Sequence, residues 1–313
     1  MAIEINSYFP EEFLTNEQSI FNKLGIKRRF IAGEDETALD MAVKAVNGLN
    51  SSAVSPDMVF FSTSYPDGVN NAYELIEHSK YETDGCCNVH AACSGFGLAL
   101  ASIAGRIDRF SGSRILIAAS ERYSPTLVDL TSGQADSSLS QAIFSDGATA
   151  MVFTEGEDME ILNAVNYSFP QDISTCLRMP INYSLVRHPA IVVDIPPSEN
   201  GYFWMDGKGV YEALRTTLPD LITEAVKGAK LEPGQIRMVI PHQASKPMVG
   251  ILARRLPSME VYQDLEDGNW SSASIPKAMA QALQQGAIGK EDKVVLAGFG
   301  AGLFASVSVV HLH

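Results

Sequence analysis

The 313-residue chain holds only four cysteines, two of them adjacent at Cys86 and Cys87, and no pair spaced CxxC. That scarcity excludes a disulfide framework and a thiolate zinc site, so no metal is expected. It fits a reducing, cytoplasmic setting. No apolar run approaches the roughly 18 residues of a membrane span. The start, MAIEINSYFPEEFLTN, lacks the basic-then-apolar order of a secretory signal. Positive charge is also short: 23 Lys and Arg against 37 Asp and Glu give a formal net charge of −14. Phosphate binding needs a basic face, so nucleic acid is excluded as the main partner. An acidic protein partner is compatible where basic residues cluster, as in KLGIKRRF from Lys23 and around Lys246, Arg254 and Arg255.

What the chain has is apolar content, 46% of residues, and an internal echo. MAVKAVNGLNSSAVSPDMVFFSTS from residue 41 parallels ITEAVKGAKLEPGQIRMVIPHQAS from residue 222. Each reads as an amphipathic helix, a proline-bearing loop, a short apolar strand and a small polar ending. Ala42-Val43-Lys44 matches Ala225-Val226-Lys227, and Met58-Val59 matches Met238-Val239. SGSRILIAAS (111–120) parallels KEDKVVLAGF (290–299), again near the same offset. Four elements in one order indicate a duplication. Alternating helices and strands indicate an α/β fold with largely parallel sheet, whose chemistry gathers at strand carboxyl ends. The stretch from about 155 to 200, rich in Pro, Asn, Tyr and Ser and holding Cys176 and His188, breaks the pattern and reads as an insertion. The expected division is an N-terminal half at 1–165, an inserted segment at 166–200 and a C-terminal half at 201–313.

Three positions carry candidate chemistry. In HAACSGFG (90–97), Cys93 has small neighbours and precedes a segment with apolar residues at helical spacing. A buried, inert thiol is one reading. The other is a nucleophile at a helix N-terminus, where free N–H groups and the dipole favour a thiolate. His242 follows the strand RMVI, in the place the first half gives to STS, and Asn269 lies between Gly268 and Trp270 ahead of the helix SIPKAMAQALQQ. Of the other histidines, His311 and His313 read as surface residues, and His90 as a hydrogen-bonded strand residue. The run LAGFGAGLFASVSVV reads either as a hairpin or as a strand end whose N–H groups form an oxyanion hole. Cys, His and Asn in that order also describe papain-like proteases, but AACSGF inside a duplicated α/β pattern lacks their local signature.

Taken together, LGIKRRFIA, HAACSGF, FSDGATA, MDGKGVYEAL, HQAS, GNWSSASIP and GFGAGLFAS resemble the β-ketoacyl-acyl carrier protein synthase III group of the thiolase superfamily, in order over nearly the whole chain. The resemblance implies a thiolase-like duplicated five-layer α-β-α-β-α sandwich, usually dimeric, with no bound cofactor. It implies that Cys93 takes an acyl group from a phosphopantetheine thioester, acyl-ACP or acyl-CoA. His242 and Asn269 would serve decarboxylative condensation with a malonyl-type thioester, and the backbone of Cys93, Gly300 and Ala301 would hold the oxyanion. Lys23 falls at a pantetheine-phosphate position, and Arg254 and Arg255, with Lys246 near in sequence, where an acyl carrier protein docks.

The departures from the family are specific. The Asp-Glu-Trp stretch whose tryptophan stacks on the CoA adenine is absent, and Ser138 replaces the arginine of that clamp. Glu212 stands where a docking lysine is common, HQAN is HQAS with Ser245, and Pro247 follows where a basic residue is usual. YPDGVNNAYELIEHSKYETDG differs from the usual substrate-lining region. The expectation is therefore an acyltransferase of fatty-acid or specialised lipid and secondary-metabolite synthesis, as a homodimer or a heterodimer with a related subunit. Non-decarboxylative transfer to an oxygen or nitrogen acceptor, and a non-catalytic partner subunit, stand as alternatives; the presence of Cys93, His242 and Asn269 together opposes the last.

Overall fold

The computed structural model describes residues 3–14, 22–50, 55–64, 71–83, 85–124, 143–170, 177–178, 204–205 and 207–313. The strands are β1 (Glu4–Tyr8), β2 (Glu11–Leu14), β3 (Arg28–Ile31), β4 (Met58–Ser62), β5 (Cys86–Val89), β6 (Arg114–Glu121), β7 (Gly147–Thr154), β8 (Met159–Ser168), β9 (Leu177–Arg178), β10 (Trp204–Met205), β11 (Met238–Pro241), β12 (Lys293–Gly300) and β13 (Phe304–Leu312). The helices are α1 (Ala38–Asn47), α2 (Asn71–His78), α3 (Gly95–Ala104), α4 (Ile107–Phe110), α5 (Gly207–Gly228), α6 (Lys246–Arg255) and α7 (Ser274–Gln284).

Two sheets share one plan. The first runs β1-β7-β6-β4-β5 and the second β8-β13-β12-β11. In each, an apolar central strand pairs in parallel with a neighbour on one side and antiparallel with the strand that follows it on the other. A parallel bridge from Val239 to Val261 supplies a vestige of the fifth strand in the second sheet. The inner strands are buried on both faces, which explains continuous runs such as VFF and VVLA where an exposed sheet would alternate.

Five layers follow. Helices α1 and α2 cover the outer face of the first sheet, and α5 and α6 that of the second. Between the sheets lie α3 and α7, each touching both. Their one core joins Phe96, Leu100 and Ile103 to Ile275, Ala278 and Met279. The chain thus has the thiolase-like α-β-α-β-α arrangement.

The duplication reaches single hydrogen bonds. Asn6 of β1 donates Nδ2 to the Ala45 carbonyl at 2.8 Å, and Asn163 of β8 donates Nδ2 to the Ala225 carbonyl at 2.9 Å. Gly48 and Gly228 close the two helices over these asparagines, so tightly that an added Cβ would lie 2.2 and 2.3 Å from the two amide nitrogens. Ala45 and Gly48 are therefore the counterparts of Ala225 and Gly228, and the Ala-Val-Lys identity with Ala42 lies about one turn out of register.

The same pairing corrects the expected insertion. Met159–Ser168 is not irregular but the edge strand of the second sheet, hydrogen-bonded along β13. Its exposed positions are Glu160, Asn166 and Ser168, and half-buried Asn163 and Tyr167 add to the polar composition that made it resemble a loop. The sheet of the second half thus begins ahead of the expected boundary at 165. The remainder of 166–200, with Cys176 and His188, lies almost wholly outside the described residues, as does Ser138.

Candidate active site

Cys93 sits in a one-turn 3₁₀ helix, Ala92–Ser94, that runs directly into α3. Ala92 holds φ at +44°, left-handed backbone that costs a non-glycine residue on the order of 1–3 kcal/mol. The same bend recurs at Ser271–Ala273, where Ser271 has φ +47° and the turn opens α7. Residues 91–95, AACSG, therefore correspond to residues 270–274, WSSAS, and Ser272 is the twin of Cys93.

The two turns meet strand ends that differ. Gly300, the last residue of β12, lies against Cys93: a Cβ there would stand 2.8 Å from the Cys93 nitrogen and 2.9 Å from its Cβ. Gly298 approaches Ser94 in the same way, with 2.9 Å from an added Cβ to the Ser94 Cα. The glycine run is thus a hairpin into β13 whose first strand is stripped of side chains where it touches the thiol turn. At the twin position, the end of β6 carries Glu121, wholly buried. Its carboxylate accepts from Ser272 Oγ at 2.5 Å, Ser272 N at 3.2 Å, Ser64 N at 2.9 Å and Ser64 Oγ at 3.0 Å.

His242 follows β11 and donates its backbone N–H to Ala297 of β12 at 2.8 Å, which sets it beside the strand that ends on Cys93. Its Nδ1 lies 3.0 Å from Ser274 Oγ, and that oxygen also accepts from Gln243 N at 2.8 Å. Asn269 precedes the twin turn and accepts the Ser271 N–H on Oδ1 at 2.7 Å. The Ser271 hydroxyl in turn bonds the Cys93 thiol. One short segment, 269–274, therefore links Asn269, the thiol and His242. It is anchored beneath by Lys277, whose Nζ lies 2.6 Å from Asp264 and 2.8 Å from Asp267 in a buried ion cluster. Trp270, wholly buried, lies on Gly147, where a Cβ would come within 2.5 Å of the ring.

Burial sets the protonation states. It pushes the Cys93 thiol up to about 12, with the Glu121 charge adding to the shift and the Ser271 hydroxyl opposing it. Burial thus acts on the thiol in the opposite sense to the helix N-terminus, which favours the thiolate. Burial lowers His242 to about 3, so its imidazole is neutral at neutral pH. Glu121 is raised to about 7 by desolvation despite its four donors.

The expected basic residues divide. Lys23 and Lys246 are both exposed, and Gly25 backs onto Lys246, so these two share one surface. Arg254 and Arg255 are exposed at the opposite end of α6. The rest of KLGIKRRF does not form a basic face: Lys27 pairs with Glu266, Arg28 bonds Asp267 at 2.6 Å, and Arg29 is half-buried. His90 bonds the Thr63 carbonyl through Nδ1. His311 and His313 lie beside Glu291 and Glu160. Glu121, Ser64 and Tyr123 were missed in the sequence. The signal was the echo of AACSG in WSSAS, a match in backbone shape with little identity.

Comparison with known proteins agrees with this geometry. The 3-oxoacyl-[acyl-carrier-protein] synthase III family model matches residues 87–169, and the C-terminal model of the same family matches 226–312. The mycobacterial β-ketoacyl-[acyl-carrier-protein] synthase III of Mycolicibacterium paratuberculosis is 29% identical over 330 residues, covering 99% of this chain and 95% of the relative. The β-ketoacyl-[acyl-carrier-protein] synthase III structure from Thermus thermophilus superposes with a TM-score of 0.82 at 25% identity, covering 99% and 98% of the two chains. The priming β-ketosynthase of the R1128 polyketide pathway gives 0.81 at 27% identity, covering 99% and 95%.

Proposed function

Since the chain belongs to the β-ketoacyl-acyl carrier protein synthase III group of the thiolase superfamily, we propose that it loads an acyl group from a thioester onto Cys93 and condenses it with a malonyl-type thioester, releasing CO2. The pathway is fatty-acid or polyketide-type synthesis. The observation that carries this reading is the thiol turn held open by Gly300 and joined through 269–274 to Asn269 and a neutral His242.

In the first half-reaction, Cys93 Sγ attacks the thioester carbonyl and the donor leaves as a thiol. The N–H groups of Cys93 and the Gly300–Ala301 turn receive the oxyanion, where positioned backbone donors are worth far more than in water. In the second, His242 and Asn269 donate to the carbonyl of the malonyl-type thioester as CO2 departs. A neutral imidazole suits this task, since it donates through Nε2 when Nδ1 accepts a hydrogen bond from the Ser274 hydroxyl. The enolate carbon then attacks the acyl-Cys93 carbonyl and expels the Cys93 thiolate, which takes up a proton from water. No metal or bound cofactor enters the scheme.

The donor carrier is an acyl carrier protein in preference to CoA for at least one substrate. The absent tryptophan and Ser138 support this, because base stacking is worth roughly 1–3 kcal/mol. Lys23 and Lys246 are assigned to the pantetheine phosphate, and Arg254 and Arg255 to the acidic carrier. A cytoplasmic location belongs to the same reading; among the described residues no helix is long and apolar enough to cross a membrane. The open edge of β5, with Cys86 and Cys87 exposed, is the surface assigned to a dimer.

Peptide-resolved mass spectrometry after incubation with acyl-ACP and acyl-CoA panels tests the reading, with CO2 release measured on adding a malonyl thioester. An adduct on Cys93 and stoichiometric CO2 are expected. An adduct on Cys86, Cys87 or Cys176 overturns the site. An adduct on Cys93 that passes to an oxygen or nitrogen acceptor without CO2 overturns the condensation.

A further inference from the structure

The reading above requires a buried thiol to lose its proton before it attacks, yet His242 is tied to Ser274 through Nδ1 and is held neutral for the second half-reaction. On the other side of Cys93 lies an unbroken line of hydroxyls. Ser271 Oγ bonds the thiol and lies 2.9 Å from the Tyr123 hydroxyl. That hydroxyl lies 3.1 Å from Ser64 Oγ, which donates to Glu121 Oε1 at 3.0 Å. A direct contact of 3.4 Å between Ser64 and Ser271 gives a longer shortcut past Tyr123. Ser271, Tyr123 and Glu121 are all buried.

From this line we infer that Glu121 is the terminal proton acceptor for Cys93, acting through Ser271, Tyr123 and Ser64. The inference rests on Cys93 being the nucleophile. The step balances by a hop at each bond. The thiol proton moves to Ser271 Oγ as the Ser271 proton moves to Tyr123, the Tyr123 proton to Ser64 and the Ser64 proton to Glu121 Oε1. The Sγ electron pair then forms the new C–S bond as the donor's C–S bond breaks. The proton held on Glu121 returns along the same line and leaves on the donor thiolate, which departs as a thiol.

Two further features support the assignment. Glu121 stands where the duplicate fold puts Gly300, so the twin turn that has no acyl group to receive is filled by the acceptor. Its carboxyl titrates near neutrality, where it can take and return a proton. The ionisable groups that face it are few among the described residues. Cys93 approaches from the thiol turn and Tyr123 from the segment after β6. Asp146, ahead of β7, turns its carboxylate to the backbone amides of Tyr123 at 2.6 Å and Ser124 at 3.0 Å. From the β4 and 269–274 sides it meets the hydroxyls and amides of Ser64 and Ser272. His242 stands on the β11 side of the site.

Glu121 does not touch the reacting atoms, so its test must move something a structural role would leave alone. The probe is iodoacetamide, with the alkylation rate of Cys93 followed by peptide mass spectrometry from pH 5.5 to 9 and glutathione in the same reaction as reference thiol. In the wild type, the Cys93 rate should rise through about pH 7. Glu121→Gln and Ser64→Ala should both lose that limb and slow Cys93 by about 10²-fold at pH 8, the lower range for a general base. The glutathione rate should be the same in every sample. Ser64→Ala leaves Glu121 its bonds to Ser272, so it reads out the relay even if Glu121→Gln fails to fold. Tyr123→Phe, which leaves only the longer shortcut, should fall between. Folded variants with the wild-type rate and profile at Cys93 overturn the relay. Acylation of wild-type Cys93 by a thioester is measured in parallel. If Cys93 is acylated but the variants keep the wild-type profile, the relay alone fails. If wild-type Cys93 takes no acyl group, the nucleophile assignment fails.

Discussion

Two turns with the same backbone, Ala92–Ser94 and Ser271–Ala273, face opposite fates in this molecule. Both begin with a left-handed residue, both start a central helix, and each lies against the end of an eight-residue strand. At the first, the strand ends in Gly300 and the turn carries a thiol. At the second, the strand ends in Glu121 and the turn carries Ser272, so a carboxylate fills the space. Under the proposed function, the difference teaches that one duplicated scaffold makes a single reaction centre by emptying one copy of the site and plugging the other. The N–H of Ser272, twin of the Cys93 N–H, already has an internal anion to bond.

The most severe way to break the asymmetry is to remove the thiol. Cys93→Ala should abolish the acyl adduct and all turnover, read by peptide mass and product assay. Next is to make the open turn resemble the filled one. Gly300→Ala sets a Cβ against backbone that cannot yield. It should cost about 1–3 kcal/mol of stability by overpacking and lower acylation by about 10² or more through loss of the oxyanion site. Thermal unfolding and adduct formation together check this outcome.

His242→Ala or Asn269→Ala should leave acylation of Cys93 measurable while condensation falls by about 10²-fold, the scale of one lost donor. Equal loss in both half-reactions would make His242 the base for the thiol.

The two sides also differ in their effect on stability with pH. Glu121 is raised from 4.5 to about 7 in the folded state, so its contribution falls as pH rises through that window. Glu155, raised to about 7 by desolvation, acts the same way. His242 is lowered from 6.5 to about 3, so its contribution rises with pH up to 6.5. Urea unfolding at pH 5, 6 and 7 should show a more positive slope for Glu121→Gln and a more negative one for His242→Gln than for the wild type. The smallest effect expected is at the carrier. Arg254→Glu with Arg255→Glu should lower carrier-dependent kcat/KM by about 10-fold at low salt and less as salt rises. A matching CoA thioester should be unaffected.

Much of this was legible in the residues themselves. Apolar runs, helical spacing and glycines at strand ends are local signals, and they announced the α/β duplication. Cys93, His242 and Asn269 stood out because each is a reactive or polar residue at a strand end. Other features escaped because their meaning is not local. An edge strand half exposed to solvent has loop-like composition, so Met159–Ser168 was unreadable until β13 paired with it. The Ala-Val-Lys identity misled because residue likeness need not keep helical phase, and only the bonds from Asn6 and Asn163 fixed the register.

The sequence by itself determined the thiol at position 93, its small-residue setting, the order of elements and the net charge of −14. Tertiary structure decided the burial that raises that thiol, because desolvation is a property of everything within several ångströms and not of the helix that follows. It also decided that Glu121, far from Ser272 in the chain, would occupy the twin site. A carboxyl in a strand sequence reads as a solvated end, and only the meeting of two half-folds shuts it away from water among four donors.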